Sequence, residues 1–394
     1  MKILFLDWKS LGNEDIVSAA EYLNLNGYEI EIKMYHFDNH IEDDDKDEAE
    51  KLSATIKKES PDFVLSFNYF PLVSGVCQKE EIKYASWVYD NPAARLFSYT
   101  LINSCNYVFL FDSQVYELFA GQGIKTVYYL PMAAATRRYD SLPLNPEKER
   151  RLSGRISFVG HLYNENHNYF DKLKEKASDY CMGYLEGLMK SQMEIQGLNI
   201  VEKSIPPRVM QEMIDIIGIR PGYDSVASYE YLYSNYVINR KITSLERIDI
   251  LQKIGKKYPV ELYTSNTAFG GEGITNHGEV DYYLSMPYVF KNSDINLNIT
   301  LRSIQTGIPL RAMDIMGCGG FLLTNYQEDM FRFFVPGEDF VYYESRQDLM
   351  EKIGYYLEHE EERQTIAENG HRKVSLDHSY EQRLAEIISV VTGN

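Results

Sequence analysis

Over its first 130 residues the chain alternates short apolar runs with stretches of helical period. Strand-like runs fall at 2–6 (KILFL), 28–34, 62–67 (DFVLSF), 84–89 (YASWVY), 107–111 (YVFLF) and 125–130 (KTVYYL). Between the first two, 13–26 places Ile16, Ala19, Ala20 and Leu23 on one face of a helix that Gly27 ends. The acidic run 42–50 leads into a second helix through Ala49, Leu52 and Ile56, and its charges read as a solvated face. Strands of this length separated by helices predict an open parallel sheet with right-handed crossovers. The pattern breaks at 142–152, where two prolines stand among charges, and this segment is predicted to be a linker. A strand at 156–159 restarts it. Residues 165–240 carry Leu173, Leu185, Leu188, Met210 and Met213 at helical spacings without alternation, which predicts a helical subdomain. A helix at 244–255, a strand at 260–263 (VELY), a turn at 276–280 and a helix at 282–291 follow. Beyond them come a strand at 321–323, a turn at Pro336-Gly337, helices at 347–358 and 361–369 with Gly370 stopping the second, and a last helix at 380–391.

The stretch 294–325, DINLNITLRSIQTGIPLRAMDIMGCGGFLLTN, concentrates the chemistry. Ile295, Leu297, Ile299 and Leu301 alternate with polar residues as in a half-buried strand. After the loop 302–308, Pro309 opens a short helix from Leu310 to Met316 that Gly317 ends. The unpaired N–H groups and positive dipole end of that helix suit a phosphate. Asp314 sits inside it among Ala312, Met313, Ile315 and Met316, where an apolar residue would cost less. Two roles fit such a carboxylate: accepting both hydroxyls of a ribose, or pairing with Arg311 or another arginine as a structural ion pair.

Length and charge narrow the field. At 394 residues the chain suits two α/β domains better than one core. A formal charge of −18 argues against a nucleic-acid backbone as the main partner, although a local pocket of arginines and helix termini still binds a nucleotide. No stretch approaches the length of a membrane span and no leader-like segment precedes the first strand, so a cytoplasmic protein is expected. Cys77, Cys105, Cys181 and Cys318 lack paired spacing and read as buried thiols.

In an open parallel sheet the loops at the strand carboxyl ends line the binding crevice. Asp7, Asp90 and Asp112 each follow a strand; Asx turns and helix caps explain many such positions. Asp90, followed by Asn91-Pro92, is the candidate general base. Gly160 ends the strand at 156–159 and permits close approach of a ligand, with His161 as a further candidate. Arg240, Lys241 and Arg247 form the densest basic cluster before 294–325, and Arg302 ends its strand; each can neutralise a diphosphate or sit in a surface ion pair. No Asp-x-Asp stands at a strand end, only within the run 43–47, so no metal site is expected.

The run IPLRAMDIMGCGGFLLTN, with FVPGED at 334–339, YYL at 355–357 and RQTIAENG at 363–370, resembles the C-terminal half of group-1-like glycosyltransferases of the GT-B fold, nearest the branch of the spore-maturation CgeB-like proteins. The similarity covers roughly 270–390. It implies an α/β chain of two Rossmann-like domains facing a central cleft: an acceptor-side domain at 1–145, a nucleotide-sugar domain at 153–378 with a helical insertion at about 165–240, and a helix at 379–394 packing back toward the first domain. Asp314 falls where the family carries the second glutamate of a Glu-x7-Glu motif, associated with the donor ribose; eight residues earlier stands Thr306 in place of the first. By the same resemblance the donor is bound by Gly160, Arg240, Lys241, Arg247, His277, Gly278, Arg302, Thr306, Gly307, Ile308, Pro309, Leu310, Arg311 and Asp314. The main chain at His277 and Gly278 would face the base. The implied activity is metal-independent transfer of a sugar from a UDP- or GDP-linked donor to a glycan or protein acceptor, without a cofactor. A nucleotide-sugar epimerase or hydrolase, or a non-catalytic sugar-binding protein, remains open as an alternative.

Overall fold

The computed structural model describes residues 1–38, 40, 42–164 and 168–393. These divide into two compact units, one of Met1–Ala135, Gly222–Ala227 and Asp377–Asn394, the other of Thr136–Pro221 and Ser228–Leu376. The segment 142–152, expected as a linker, lies within the second unit. Part of it is the helix Pro146–Arg151, which Pro146 opens and the Asn145 side chain caps by accepting the Lys148 amide at 3.0 Å.

In the first unit all six expected strands form: β1 (Lys2–Asp7), β2 (Glu31–His36), β3 (Phe63–Phe67), β4 (Lys83–Val88), β5 (Asn106–Leu110) and β6 (Val127–Tyr129). They pair in parallel in the order β2-β1-β3-β4-β5-β6. Strand order reverses between β1 and β3, so the crevice of this sheet opens at the carboxyl ends of those strands. Leu4, Leu6, Val64, Tyr84 and Val108 are central to one of its apolar cores. The C-terminal helix Tyr380–Thr392 completes the unit. It buries Tyr380, Leu384, Ile387 and Val391, and Tyr89 donates to the Tyr380 hydroxyl at 2.7 Å while Lys83 donates to the Val391 carbonyl at 2.6 Å. The excursion Gly222–Ala227 is tied on by Tyr99 N–H to the Asp224 carbonyl at 3.2 Å and Val226 N–H to the Phe97 carbonyl at 2.7 Å.

The second unit holds β7 (Gly154–Val159), β8 (Val260–Tyr263), β9 (Ile274–Asn276), β10 (Ser293–Asn298), β11 (Leu322–Asn325) and β12 (Val341–Tyr343). All pair in parallel, in the order β12-β11-β10-β7-β8-β9. This is the doubly wound 3-2-1-4-5-6 arrangement, and its switch point lies between β7 and β10. Two strands escaped the sequence pattern. β9 shares only Asn276 with the expected turn at 276–280, and neither it nor β12 is among the strands that the sequence pattern predicts. The helices Asp179–Met193, Val201–Ser204, Pro207–Ile217 and Tyr229–Tyr233 stand between β7 and β8, where a helical subdomain was expected; residues 165–167 of that stretch lie outside the described residues.

Two further expectations are corrected. β10 is buried on both faces, because helices cover the sheet on each side; its polar positions Asn296 and Asn298 are interior and hydrogen-bonded, as described below. Gly370 does not stop a helix. It lies inside Glu360–Asp377, and a β-carbon there would press into the Asp339 carbonyl, so glycine serves close packing of this helix on the turn at 335–339. No helix among the described residues is long and apolar enough to cross a membrane.

Overpacking at this contact sets an expected outcome. Gly370→Val should lower the free energy of unfolding by about 1–3 kcal/mol, read from the shift of a urea midpoint, whereas Glu368→Ala on the exposed side of the same helix should leave it nearly unchanged.

Candidate functional site

The switch point of the second sheet is held by an arginine. Arg247, from the helix Asn239–Gly255, is 2% exposed; its Nε and Nη2 donate to the Ile299 carbonyl at 3.0 and 2.5 Å, and its Nη1 to the His161 carbonyl. One side chain thus ties the segment after β7 to the segment after β10. Its guanidinium lies 5.3 Å from the Phe158 ring and 5.0 Å from the Tyr163 ring, and burial lowers its pKa. A surface ion pair, one of the two expected roles, is not what this residue makes.

Arg311 comes to the same place from the second position of the helix Leu310–Gly317. Its guanidinium lies 5.0 Å from Phe158 and donates through Nη1 to Asn298 Oδ1 at 3.0 Å. Asn298 is itself fixed, its amide donating to Thr300 Oγ1 at 3.0 Å and Thr324 Oγ1 at 2.9 Å. Gly160 makes the approach possible: its φ is +146°, and any β-carbon there would collide with the Arg311 guanidinium. Burial, then the neighbouring charge of Arg247, pushes the Arg311 guanidinium down to about 9, so it still carries its proton at neutral pH. Two cations therefore share one aromatic ring, and among the described residues neither donates a hydrogen bond to a carboxylate. An anion with several oxygens would relieve both charges.

The helix that carries Arg311 begins as expected. Pro309 is its N-cap, at φ −69° and ψ 148°, and no side chain caps the first turn. Ile308 is buried, the Gly307 carbonyl accepts from Gln327 Nε2 at 3.0 Å, and the Thr306 carbonyl accepts from the Asp329 N–H at 3.0 Å. These bonds fix the loop 306–309 ahead of Leu310.

Asp314 lies in the interior, in the second turn of the same helix. It is 2% exposed, and its Oδ1 accepts from the Tyr139 hydroxyl at 2.6 Å and the Tyr282 hydroxyl at 3.4 Å. Arg311, one turn before it, donates to Asn298, and the Asp314 charge acts on the Arg311 guanidinium. Arg138 stacks over the same tyrosines, 4.7 Å from the Tyr139 ring and 5.3 Å from that of Tyr282.

The other expected donor residues separate into near and spent. Arg302 is spent: it pairs in bidentate fashion with Glu246, Nε to Oε2 at 2.7 Å, and donates Nη1 to the Ile195 carbonyl at 2.9 Å, which removes it from phosphate binding. Lys241 pairs with Asp171 at 2.9 Å, the surface role expected, and Arg240 stacks 4.8 Å from Tyr163. His161 lies near the switch point, its Nδ1 3.1 Å from Ser265 Oγ. His277 stacks on Tyr263 at 4.8 Å with Nε2 2.5 Å from Glu261 Oε2, and the Gly278 N–H, at φ +76°, donates to Asn276 Oδ1 at 3.0 Å. Asn298, Tyr163 and Phe158 were missed. The polar members of the period-2 pattern in β10 were the available signal for Asn298.

In the first unit only one of the three post-strand aspartates is unclaimed by local structure. Asp7 accepts from Asn13 Nδ2 at 2.6 Å and the Lys9 amide at 3.0 Å, and Asp112 caps Ser113–Ala120 by accepting the Gln114 and Val115 amides. Asp90 caps nothing. Asn68 grips it from β3's end, donating to Oδ2 at 2.7 Å and accepting the Asp90 N–H at 3.1 Å; desolvation raises the carboxyl above its ordinary value against the pull of that amide. The Asn91-Pro92 bond that follows is cis.

Comparison with known proteins follows the same line. Residues 244–389 match the model of a family described as glycosyl transferase-like. No curated protein sequence matches significantly. Among solved structures, a glycosyltransferase from Rickettsia africae ESF-5 is similar over 100% of this chain and 98% of its own, at 13% identity and a TM-score of 0.55. Sucrose-phosphate synthase from Thermosynechococcus elongatus is similar over 100% and 98%, at 10% identity and a TM-score of 0.54. Anabaena Alr3699/HepE in complex with UDP-glucose is similar over 100% of both chains, at 11% identity and a TM-score of 0.53. At such identities the likeness is one of fold, and the fold is GT-B.

Removing the acceptor of a buried phenol sets the outcome here. Asp314→Ala should lower the unfolding free energy by about 1–3 kcal/mol, because Tyr139 loses its partner. Asp314→Asn, which keeps an oxygen, should lose less; equal denaturation midpoints for wild type and Asp314→Ala would refute the structural role.

Proposed function

We propose that the protein transfers a sugar from a nucleoside-diphosphate donor to an acceptor hydroxyl, with the donor diphosphate bound by the second unit at Arg311, Arg247 and the first turn of Leu310–Gly317. On the run IPLRAMDIMGCGGFLLTN we assign it to the CgeB-like branch of this fold. The carrying observation is the pair of buried guanidiniums around Phe158 at the switch point, with Gly160 shaped to admit that of Arg311 and no carboxylate hydrogen-bonded to either among the described residues. The match of 244–389 to a glycosyl transferase-like family supports the same reading, since that span contains both arginines.

The chemistry follows from charge. The departing nucleoside diphosphate gains negative charge as the glycosidic bond breaks, and preorganised cations with helix amides stabilise it more in the transition state than in the ground state. Arg311 supplies the unspent donors of its fork; Arg247, whose N–H groups hold carbonyls, supplies charge and keeps His161 and Ile299 in register. Asp90 is the proposed base, with Asn68 aiming its carboxylate. The main chain at His277 and Gly278 is proposed to meet the base of the donor. The complexes of Anabaena Alr3699/HepE with UDP and UDP-glucose make UDP-sugars the first donors to try.

The test is to incubate the protein with UDP-, GDP- and dTDP-sugars, with and without hydroxyl acceptors, and follow nucleotide release. Acceptor-dependent release supports the transferase; a donor sugar returned isomerised, or no nucleotide bound at all, overturns it. Arg311→Gln should weaken UDP binding by at least tenfold in calorimetry, and Gly160→Val should do the same by evicting the guanidinium. Asp90→Asn should lower kcat by about 100-fold or more while leaving the donor Kd unchanged. Because a base works deprotonated and desolvation raises the Asp90 pKa, the acid limb of kcat/KM should sit above the ordinary carboxylate range and vanish in Asp90→Asn.

A further inference from the structure

In the first unit the helices Lys46–Glu59 and Pro71–Lys79 lie side by side, pinned at one end where Glu80 accepts from Ser53 Oγ at 2.6 Å and pairs with Lys57 at 3.1 Å. An open cavity of about 810 Å³ runs along them, from Lys46 to Ser53 on one and from Pro71 to Lys79 on the other. Its floor is apolar, from Ala49, Leu72 and Val76. Gly75 also lines it, in the middle of a helix, where glycine is among the least favourable residues. No turn, positive φ or close contact requires glycine there: a β-carbon built on Gly75 meets no atom within 4 Å. What the missing side chain leaves is room in the cavity.

The mouth is acidic. Asp43, Asp44 and Asp224 converge on it, with Arg95 as the cation paired to Asp43 at 3.2 Å and the Ser98 hydroxyl donating to Asp224. Asp44 makes no hydrogen bond or ion pair among the described residues. Six carboxylates line the cavity against three cations, Lys46, Lys79 and Arg95, so negative charge is in excess; burial, with Asp224 and Asp44, pushes the Asp43 carboxyl up against the pull of Arg95. Tyr223, 98% exposed, also lines the cavity and offers an aromatic face.

We propose that this cavity binds a small molecule with an apolar body and a protonated amine, the body on Leu72 and Val76 beside Gly75 and the amine among Asp43, Asp44 and Tyr223. A volume of this size suits a ligand of a few hundred daltons. An anionic or neutral ligand would leave the carboxylates uncompensated. The site stands on the first unit alone and neither needs nor tests the reading of Arg247 and Arg311.

The test uses the full chain and three probes of equal chain length: 1-octylamine, 1-octanol and octanoate, titrated by calorimetry at neutral pH. Octylamine should bind at one equivalent at least tenfold more tightly than octanol, with octanoate weakest. Gly75→Phe should abolish octylamine binding by filling the floor, with a retained cooperative urea unfolding transition as the sign of a folded protein. The double substitution Asp43→Asn, Asp44→Asn should bring octylamine to the affinity of octanol. Octanoate binding as tightly as octylamine, or octylamine affinity unchanged in both variants, would overturn the proposal.

Discussion

Two guanidiniums crowd one phenylalanine at the point where the second sheet reverses its strand order, and much of that unit is arranged to tolerate them. Arg247 is satisfied by backbone carbonyls on both sides of the switch, so it works as a clasp between β7 and β10 as well as a charge. Arg311 is steered by Asn298 and given space by Gly160. A desolvated cation with no carboxylate hydrogen-bonded to it is expensive, and bringing a second beside it costs more. A fold keeps such an arrangement when something that arrives later answers it, and an anion with several oxygens is the answer the donors fit.

The interior of β10 shows how that arrangement is held. Asn296 accepts from Ser157 at 2.7 Å and donates to the Phe290 carbonyl at 3.0 Å, while Asn298 bonds Thr300 and Thr324 and accepts from Arg311. Apolar residues at these positions would pack as well or better, yet they would leave nothing to aim the arginine. Fully satisfied polar networks of this sort are stiff, and stiffness is what a preorganised anion site requires.

Much of the fold was legible in the chain because it is written in local period. All six strands of the first sheet, and β7, β8, β10 and β11 of the second, follow from apolar runs bounded by turn residues. β9 and β12 were not legible: β9 has a single apolar residue, Ile274, and β12 was passed over between the turn at Pro336-Gly337 and the helix that follows; Gly370 misled because a glycine chosen for packing looks the same in sequence as one that ends a helix. At the site, residue type alone marked Arg247, Arg311 and Gly160 but could not separate them from Arg302, whose fork Glu246 closes from 56 positions away. Asp314 stood out as an acid in an apolar setting, and two of its partners are the phenols of Tyr139 and Tyr282, distant in sequence and carrying no pattern that announces them.

The first unit is discontinuous: it is assembled from the opening 135 residues, a six-residue excursion and the segment from Asp377 onward, with the whole of the second unit threaded between. Its closing helix is no ornament, for it buries Tyr380, Leu384, Ile387 and Val391. During synthesis the opening residues therefore emerge with one side of their sheet uncovered and must wait until the closing helix leaves the ribosome, whereas the second unit has nearly all of its chain available earlier. The vulnerable interval of biogenesis belongs to the part made first, and a fragment cut at the 135/136 boundary would carry that exposed side permanently.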